Sequence, residues 1–203
     1  MASVTFDRFL KQLYAQGREK ADGFDPGDFD GMAANERQEA ARLLREALLK
    51  GDDTAARGLV FLDPQTARPI LEEALQKVQG DAWVRLSAAR ELWGLTGESH
   101  YQGLIIDALR DPSELIRHRT LVALEETPHN DRLMTALESL VKDDPDNVTR
   151  FMAAKHLLFG LGLITDIHDT NHPYKQKVRD LTDENRQVRE KALAELKSRQ
   201  DTN

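Results

Sequence analysis

Apolar residues recur along most of this chain at spacings of three and four, the period of a helix with one buried face. No stretch shows the strict alternation of a half-buried strand. One pattern repeats. It consists of an acidic or polar turn, an aliphatic residue, an arginine, two residues, a small residue and an aliphatic residue four later. Gly80-Asp81-Ala82-Trp83-Val84-Arg85 leads to Ala88 and Leu92, and Asp111-Pro112-Ser113-Glu114-Leu115-Ile116-Arg117 to Thr120 and Leu124. Asp144-Pro145-Asp146-Asn147-Val148-Thr149-Arg150 leads to Ala153 and Leu157, and Asp183-Glu184-Asn185-Arg186-Gln187-Val188-Arg189 to Ala192 and Leu196. The arginines are 32, 33 and 39 residues apart, and a weaker copy runs from Asp53 through Arg57 to Phe61.

Positions i, i+4 and i+8 share a helical face, so each copy predicts a helix that buries an aliphatic–small–aliphatic stripe. The small residue admits a close neighbour, and the preceding Asp or Asn can cap the first turn. Pro112 and Pro145 fall near helix starts, where a missing N–H costs little. Further helices are predicted over 65–78, 100–110, 130–142 and 173–181, which gives alternating first and second helices. The predicted class is all-α: an α-solenoid of antiparallel helix pairs over 51–203 with an N-terminal helical cap over 1–50, continuous with it. In the cap, helices over 5–20 and 33–50 flank a segment rich in Asp, Gly and Phe, as befits a terminal unit with a neighbour on one side only. The longer interval before the fourth arginine predicts a loop over 160–172.

The four copies resemble the short-repeat form of the HEAT-repeat family, with its Asp…Val-Arg-x-x-Ala-x-x-x-Leu second helix, over roughly residues 53–199. The resemblance implies HEAT-like helix pairs and a structural role for Arg85, Arg117, Arg150 and Arg189, because Asp and Arg at these places bond between adjacent repeats of the family. It does not fix a function, since such folds serve as scaffolds, adaptors, inhibitors and occasionally enzymes.

Composition narrows the function. The 203 residues carry a formal net charge of −7, which works against binding a phosphate backbone and favours a basic partner. The chain has no cysteine, which excludes disulfides, thiolate zinc sites and cysteine nucleophiles, and suits the cytoplasm. The longest apolar run, residues 157–164, is too short to span a bilayer, so no membrane association is expected.

Candidate chemistry is sparse. Asp28-Phe29-Asp30-Gly31 looks partly like a calcium loop, but Pro26 and Arg37 would stand where oxygen donors belong. An acidic turn capping the next helix is the plainer reading. His168 and His172 are four apart with Asp166 and Asp169 nearby, yet Asn171 and Pro173 argue for a loop rather than a ligand-bearing helix. Paired acids such as Glu72-Glu73, Glu125-Glu126 and Asp143-Asp144 are neighbours in sequence and diverge on a helix. No acid, base and nucleophile assemble, so no enzyme, cofactor or metal is predicted. HEAT-like folds include DNA glycosylases for alkylated bases and phycobilin lyases. A basic strip of Arg90, His118, Arg119 and Lys155 would suit the former, but the overall charge does not.

With each aliphatic anchor as zero, positions −1, +2, +3, +6 and +9 lie opposite the buried stripe. They hold Trp83, Leu86, Ser87, Arg90 and Trp93; then Leu115, His118, Arg119, Val122 and Glu125; then Val148, Phe151, Met152, Lys155 and Leu158. The last copy puts Gln187, Glu190, Lys191, Ala194 and Lys197 there. Aromatic, Met and Arg residues favour interface cores, so Trp83, Leu86, Arg90, His118, Arg119, Val122, Phe151, Met152 and Lys155 are the predicted partner-binding residues. The expected partner is a protein. The stretch from Phe6-Asp7-Arg8-Phe9-Leu10 to Asp22-Gly23-Phe24-Asp25-Pro26 resembles small bacterial HEAT-like immunity proteins, which implies capture of a basic toxin. A nucleic-acid enzyme or binder, or a general scaffold, are the alternatives.

Overall fold

The computed structural model describes residues 3–200 except 126 and 128, so Glu126 of the Glu125-Glu126 pair lies outside the described residues. These residues form helices and turns without strand. The helices are α1 (Val4–Leu13), α2 (Gly17–Ala21), α3 (Ala34–Leu49), α4 (Ala55–Leu62), α5 (Pro64–Lys77), α6 (Ala82–Thr96), α7 (Ser99–Ala108), α8 (Glu114–Ala123), α9 (Asp131–Asp143), α10 (Asn147–Gly160), α11 (Lys175–Thr182) and α12 (Arg186–Gln200). The chain divides into two compact units, Met1–Ile105 and Ile106–Asn203.

In the first unit, α3–α4 and α5–α6 are antiparallel pairs, and α3 also packs on α5 and α4 on α6, the neighbour pattern of a solenoid. The cap shares their core. Phe9, Phe24 and Phe29 stand with ring centres 5.8 Å apart in each pairing and join Leu44, Leu48, Leu59, Leu71 and Leu92, all of them buried. Each buried Leu or Phe contributes about 1.5–3 kcal/mol. Gly58 is required by this packing, because a Cβ there would stand 2.8 Å from the Phe24 ring and 3.0 Å from Leu44.

Two sequence expectations change here. The helix expected over 5–20 is two helices. Gly17 takes a left-handed φ of +58°, and Lys20 turns back to donate to the Leu13 carbonyl at 2.9 Å, closing the end of α1. The acidic turn does not cap α3. Asp28 is buried, accepts from Asp25 N–H at 3.0 Å and pairs with Arg8 at 3.2 Å, so it seals a 3-10 turn over Pro26–Asp28. Glu36 serves the start of α3 instead, accepting from Ala33 N–H at 3.0 Å and Ser3 N–H at 2.7 Å.

In the second unit α8 packs on α10, α9 on α10 and α10 on α11. Its core holds Leu121, Leu124, Leu133, Leu137, Val141, Leu157, Leu158, Val178 and Leu181. The expected small residues are buried in both units: Ala88, Ala153 and Ala192 are at most 2% exposed. Asp81 caps α6 through Trp83 and Val84 N–H, and Asp146 caps α10 through Thr149 N–H.

Three of the four repeat arginines hold the turn before their own helix. Arg117 donates to the Asp111 and Pro112 carbonyls, Arg150 to those of Asp144 and Pro145, and Arg189 to those of Asp183 and Glu184, at 2.6–3.2 Å. Arg117 also pairs with the buried Asp144 of the following turn, at 2.7 Å from Nε and 3.0 Å from Nη2. Arg85 makes no such turn contact among the described residues. The other three stand six residues after an Asp; six before Arg85 is Gln79. Bonds that reach the neighbouring pair, as the resemblance implied, are made by Arg117 to Asp144 and by Arg189 to the Lys142 carbonyl, while Arg150 holds its own turn.

The last pair breaks the pattern. α12 packs on α9, the first helix of the preceding pair. Arg189 reaches back to the Lys142 carbonyl at 2.8 Å, Arg186 pairs with Asp143 at 2.9 Å, Lys142 with Glu190 at 3.3 Å and Glu138 with Lys197 at 2.7 Å. The connection after α10 buries Ile164 and His172 and reaches Glu125, just beyond α8, through His168 at 3.1 Å.

Candidate functional site

The large apolar side chains left exposed among the described residues of the second unit are Leu115 (59%), Val122 (52%), Val148 (52%) and Phe151 (44%). All four occupy positions opposite the buried stripes of α8 and α10, two helices that pack together. Their neighbours bury the stripe itself: Arg117, Thr120 and Leu121 on α8, and Thr149, Ala153 and Leu157 on α10. Helical periodicity and burial therefore agree on which side faces out.

His118 stands on α8 a turn after Leu115 and a turn before Val122, and Asp146 is the residue that caps α10. His118 Nε2 lies 2.7 Å from Asp146 Oδ2, an oxygen that also accepts from Thr149 N–H at 2.6 Å and the Thr149 hydroxyl at 2.9 Å. Burial raises the Asp146 carboxyl, but these bonds outweigh it and hold the group at about 2. The contact pins α8 to the start of α10 on the exposed side.

The predicted residues are distributed unevenly. Val122 and Phe151 are exposed, as is Arg119, which has its own interaction; His118 and Met152 are half-buried. Lys155 is buried, with 7% exposure, its ammonium 5.7 Å from the centre of the Phe151 ring. In the first unit Leu86 is 6% exposed and belongs to the interior, while Trp83 and Arg90 are half-buried. Arg90 is taken up by Glu91, its Nε 3.0 Å from Oε1. Open apolar surface is thus a property of α8 and α10, and α6 presents little of it.

Of the basic strip that would suit a nucleic acid, Arg90 and His118 each pair with a carboxylate of their own unit. The histidines of the long connection are separately engaged. His168 faces Glu125, and His172 Nδ1 accepts from Tyr174 N–H at 3.1 Å. Among the described residues no group of three or more His, Asp or Glu is placed to hold a metal ion.

A histidine pair escaped sequence reasoning. His129 Nδ1 lies 3.0 Å from the Thr127 carbonyl and so carries a proton; its Nε2 is 3.0 Å from His156 Nδ1. Neutral His129 therefore presents a lone pair at Nε2, and neutral His156 has one proton for two acceptors, His129 Nε2 and the Leu121 carbonyl. Burial first, then the neighbouring His129, pushes His156 down to about 4. The two residues are 27 apart on different elements, and neither forms a motif, so nothing in the sequence signals the pair.

Residues 69–158 match the family model for HEAT repeats, a span from α5 to α10 that contains two of the arginine-bearing second helices and most of a third. Repeats of this family generally mediate protein–protein interaction and are generally non-catalytic. No curated protein and no solved structure matches the chain. No helix among the described residues is long and apolar enough to cross a membrane.

Proposed function

We propose that this protein is a non-catalytic binding module that seats a protein partner on the exposed face of α8 and α10, and that it acts as an immunity-type inhibitor of a basic toxin in the bacterial cytoplasm. The observation that carries the binding role is the set of four large apolar residues, Leu115, Val122, Val148 and Phe151, standing open on the outward sides of two packed helices. An apolar centre with Arg and aromatic residues around it is what protein interfaces use. The net charge of −7 supports a basic partner, because opposite charge speeds encounter. An inhibitor of this kind needs only to bind and block, so it requires no catalytic constellation. The resemblance at the N-terminus adds little weight, since Phe9 and Phe24 are cap core.

The experiment is co-purification with the product of the adjacent gene, followed by affinity measurement on Phe151→Ser, Val122→Asp and Trp83→Ala. The first two should each weaken binding at least tenfold with an unchanged melting temperature. Trp83→Ala should have the smaller effect, as Trp83 is half-buried on α6. A partner indifferent to Phe151 and Val122 would remove the face from the account. Recovery of nucleic acid alone, with binding that weakens steeply in salt, would replace it with a nucleic-acid role.

A further inference from the structure

Three helices meet at the contact between His129 and His156. His156 stands on α10 with 1% exposure, and His129 is the residue before Asn130, the cap of α9. The Leu121 carbonyl that His156 also faces belongs to α8. The two rings are stacked, with centres 5.2 Å apart, and the Phe159 ring meets His129 edge-on at 5.4 Å. Gly160 admits this approach, because a Cβ there would stand 3.1 Å from His129 Cβ. The contact therefore ties the entry of α9 to the body of α10.

A count of protons shows what the neutral contact lacks. The Thr127 carbonyl takes the Nδ1 proton of His129, which leaves the one proton of His156 for two acceptors, His129 Nε2 and the Leu121 carbonyl. If that proton lies between the rings, the carbonyl goes without it. If it serves the carbonyl, two lone pairs face each other at 3.0 Å. One added proton supplies the missing donor, and its charge strengthens the hydrogen bond it completes. A second added proton sets N–H against N–H and places two positive charges together in a buried site.

The surrounding charges decide the order of uptake. Burial lowers both imidazoles, opposed by the Thr127 carbonyl at His129 and by the Leu121 carbonyl at His156. Lys155 on the same helix and His168 in the following connection add repulsion at His156, and His168 is itself turned to Glu125 at 3.1 Å. α9 begins with Asp131 and Arg132, both exposed. Of the charges on α11, Lys177 pairs with Glu195 and Asp180 accepts from Gln176. His129, the half-buried member, takes the first proton, and His156 takes the second at lower pH.

We infer that this pair is a two-step acid latch: the first proton is held between the rings with the contact intact, and the second drives His129 and the start of α9 away from α10. His129 is the member that leaves, because it precedes its helix and is half-buried, whereas His156 is fixed inside one. The latch goes beyond the protein-binding reading and does not depend on it.

The test is an NMR titration of the full chain labelled with ¹⁵N-histidine, from neutral pH downward, with amide exchange measured in parallel. Ring-nitrogen shifts report the protonation of each imidazole, and scalar coupling between His129 Nε2 and His156 Nδ1 reports the shared proton. The coupling is expected to persist as the first proton is taken up and to vanish with the second. Protection of the Leu133 and Met134 amides, which donate to Asn130, should then fall at least tenfold while Leu137, Leu140 and Val141 keep theirs. His129→Gln, which keeps a hydrogen-bonding side chain and takes no charge, should abolish that loss and let His156 titrate at higher pH. Absence of coupling at every pH, loss of the ring contact with the first proton, protection lost evenly through the second unit, or the same acid loss in His129→Gln would overturn the latch.

Discussion

α8 and α12 begin from the same instruction and end in different neighbourhoods. Each follows an Asp by a turn, and each carries an arginine six residues after that Asp which folds back onto the turn's carbonyls. α8 then packs against the next second helix, α10, and Arg117 reaches forward to Asp144. α12 packs against the first helix α9, and Arg189 reaches backward to the carbonyl of Lys142. The side of α8 left outward is apolar, with Leu115 and Val122 exposed, whereas two of the positions opposite the stripe of α12, Glu190 and Lys197, form ion pairs with α9. The repeat motif fixes a turn and a buried stripe. The remaining side chains decide whether the other side is spent on the chain's own packing or left for a partner.

The largest effect should come from breaking the forward link. Arg117→Ala leaves the buried carboxylate of Asp144 without its ion partner, and losses of this kind cost about 3–5 kcal/mol. Chemical denaturation should show the midpoint fall with little change in slope. Arg189→Ala removes bonds to backbone carbonyls and strands no carboxylate, so it should cost less than Arg117→Ala. Equal losses would mean that the forward and backward links are equivalent and that the contrast between α8 and α12 has no energetic content.

Ala153→Leu tests the stripe itself. Ala153 has no exposed surface, and overpacking such a position costs about 1–3 kcal/mol. A melting temperature equal to the wild type's would mean that the helical register of α10 is wrong, and with it the placement of Val148, Phe151 and Lys155.

The histidine pair sets a pH dependence for the same unit. His156 is held at about 4 in the folded chain, first by burial and then by His129, with Lys155 and His168 adding repulsion and the Leu121 carbonyl opposing it. An unfolded imidazole titrates near 6.5, as a model-peptide value. Between those values the unfolded chain binds a proton that the folded chain refuses, so stability falls as pH drops from about 6.5 towards 4. His156→Gln should flatten that decline in melts recorded across the window. An unaltered slope would show that other groups produce it.

The smallest effect should come from the ion pairs of α12. Lys197→Ala removes a surface contact with Glu138, and exposed pairs contribute about 0–1 kcal/mol. A larger loss would mean that electrostatics, rather than apolar burial, holds α12 on α9.

Much of the fold could be read from the sequence, because helical period and turn chemistry are local. The repeated Asp and Arg marked the turns and second helices, but the family resemblance implied bonds between adjacent repeats, and the seal that Arg117, Arg150 and Arg189 place on their own turns was not foreseen. Leu115, Val122, Val148 and Phe151 could be placed on an outward face by counting from each aliphatic anchor. Which helix each face meets could not be read. Periodicity shows that α12 has a buried stripe without saying whether α9 or α10 covers it. For the same reason Leu86 and Lys155 occupy nominally outward positions yet are buried, and the contact between His129 and His156 depends on how the start of α9 meets α10.

The partner is proposed to seat on α8 and α10. Hydrogen exchange on the full chain, alone and bound to the co-purified partner, tests it most directly. Protection gained along 114–123 and 147–158, with the exchange of α12 unchanged, is the predicted result. Protection confined to α12, to the 160–172 connection or to the N-terminal cap would contradict it.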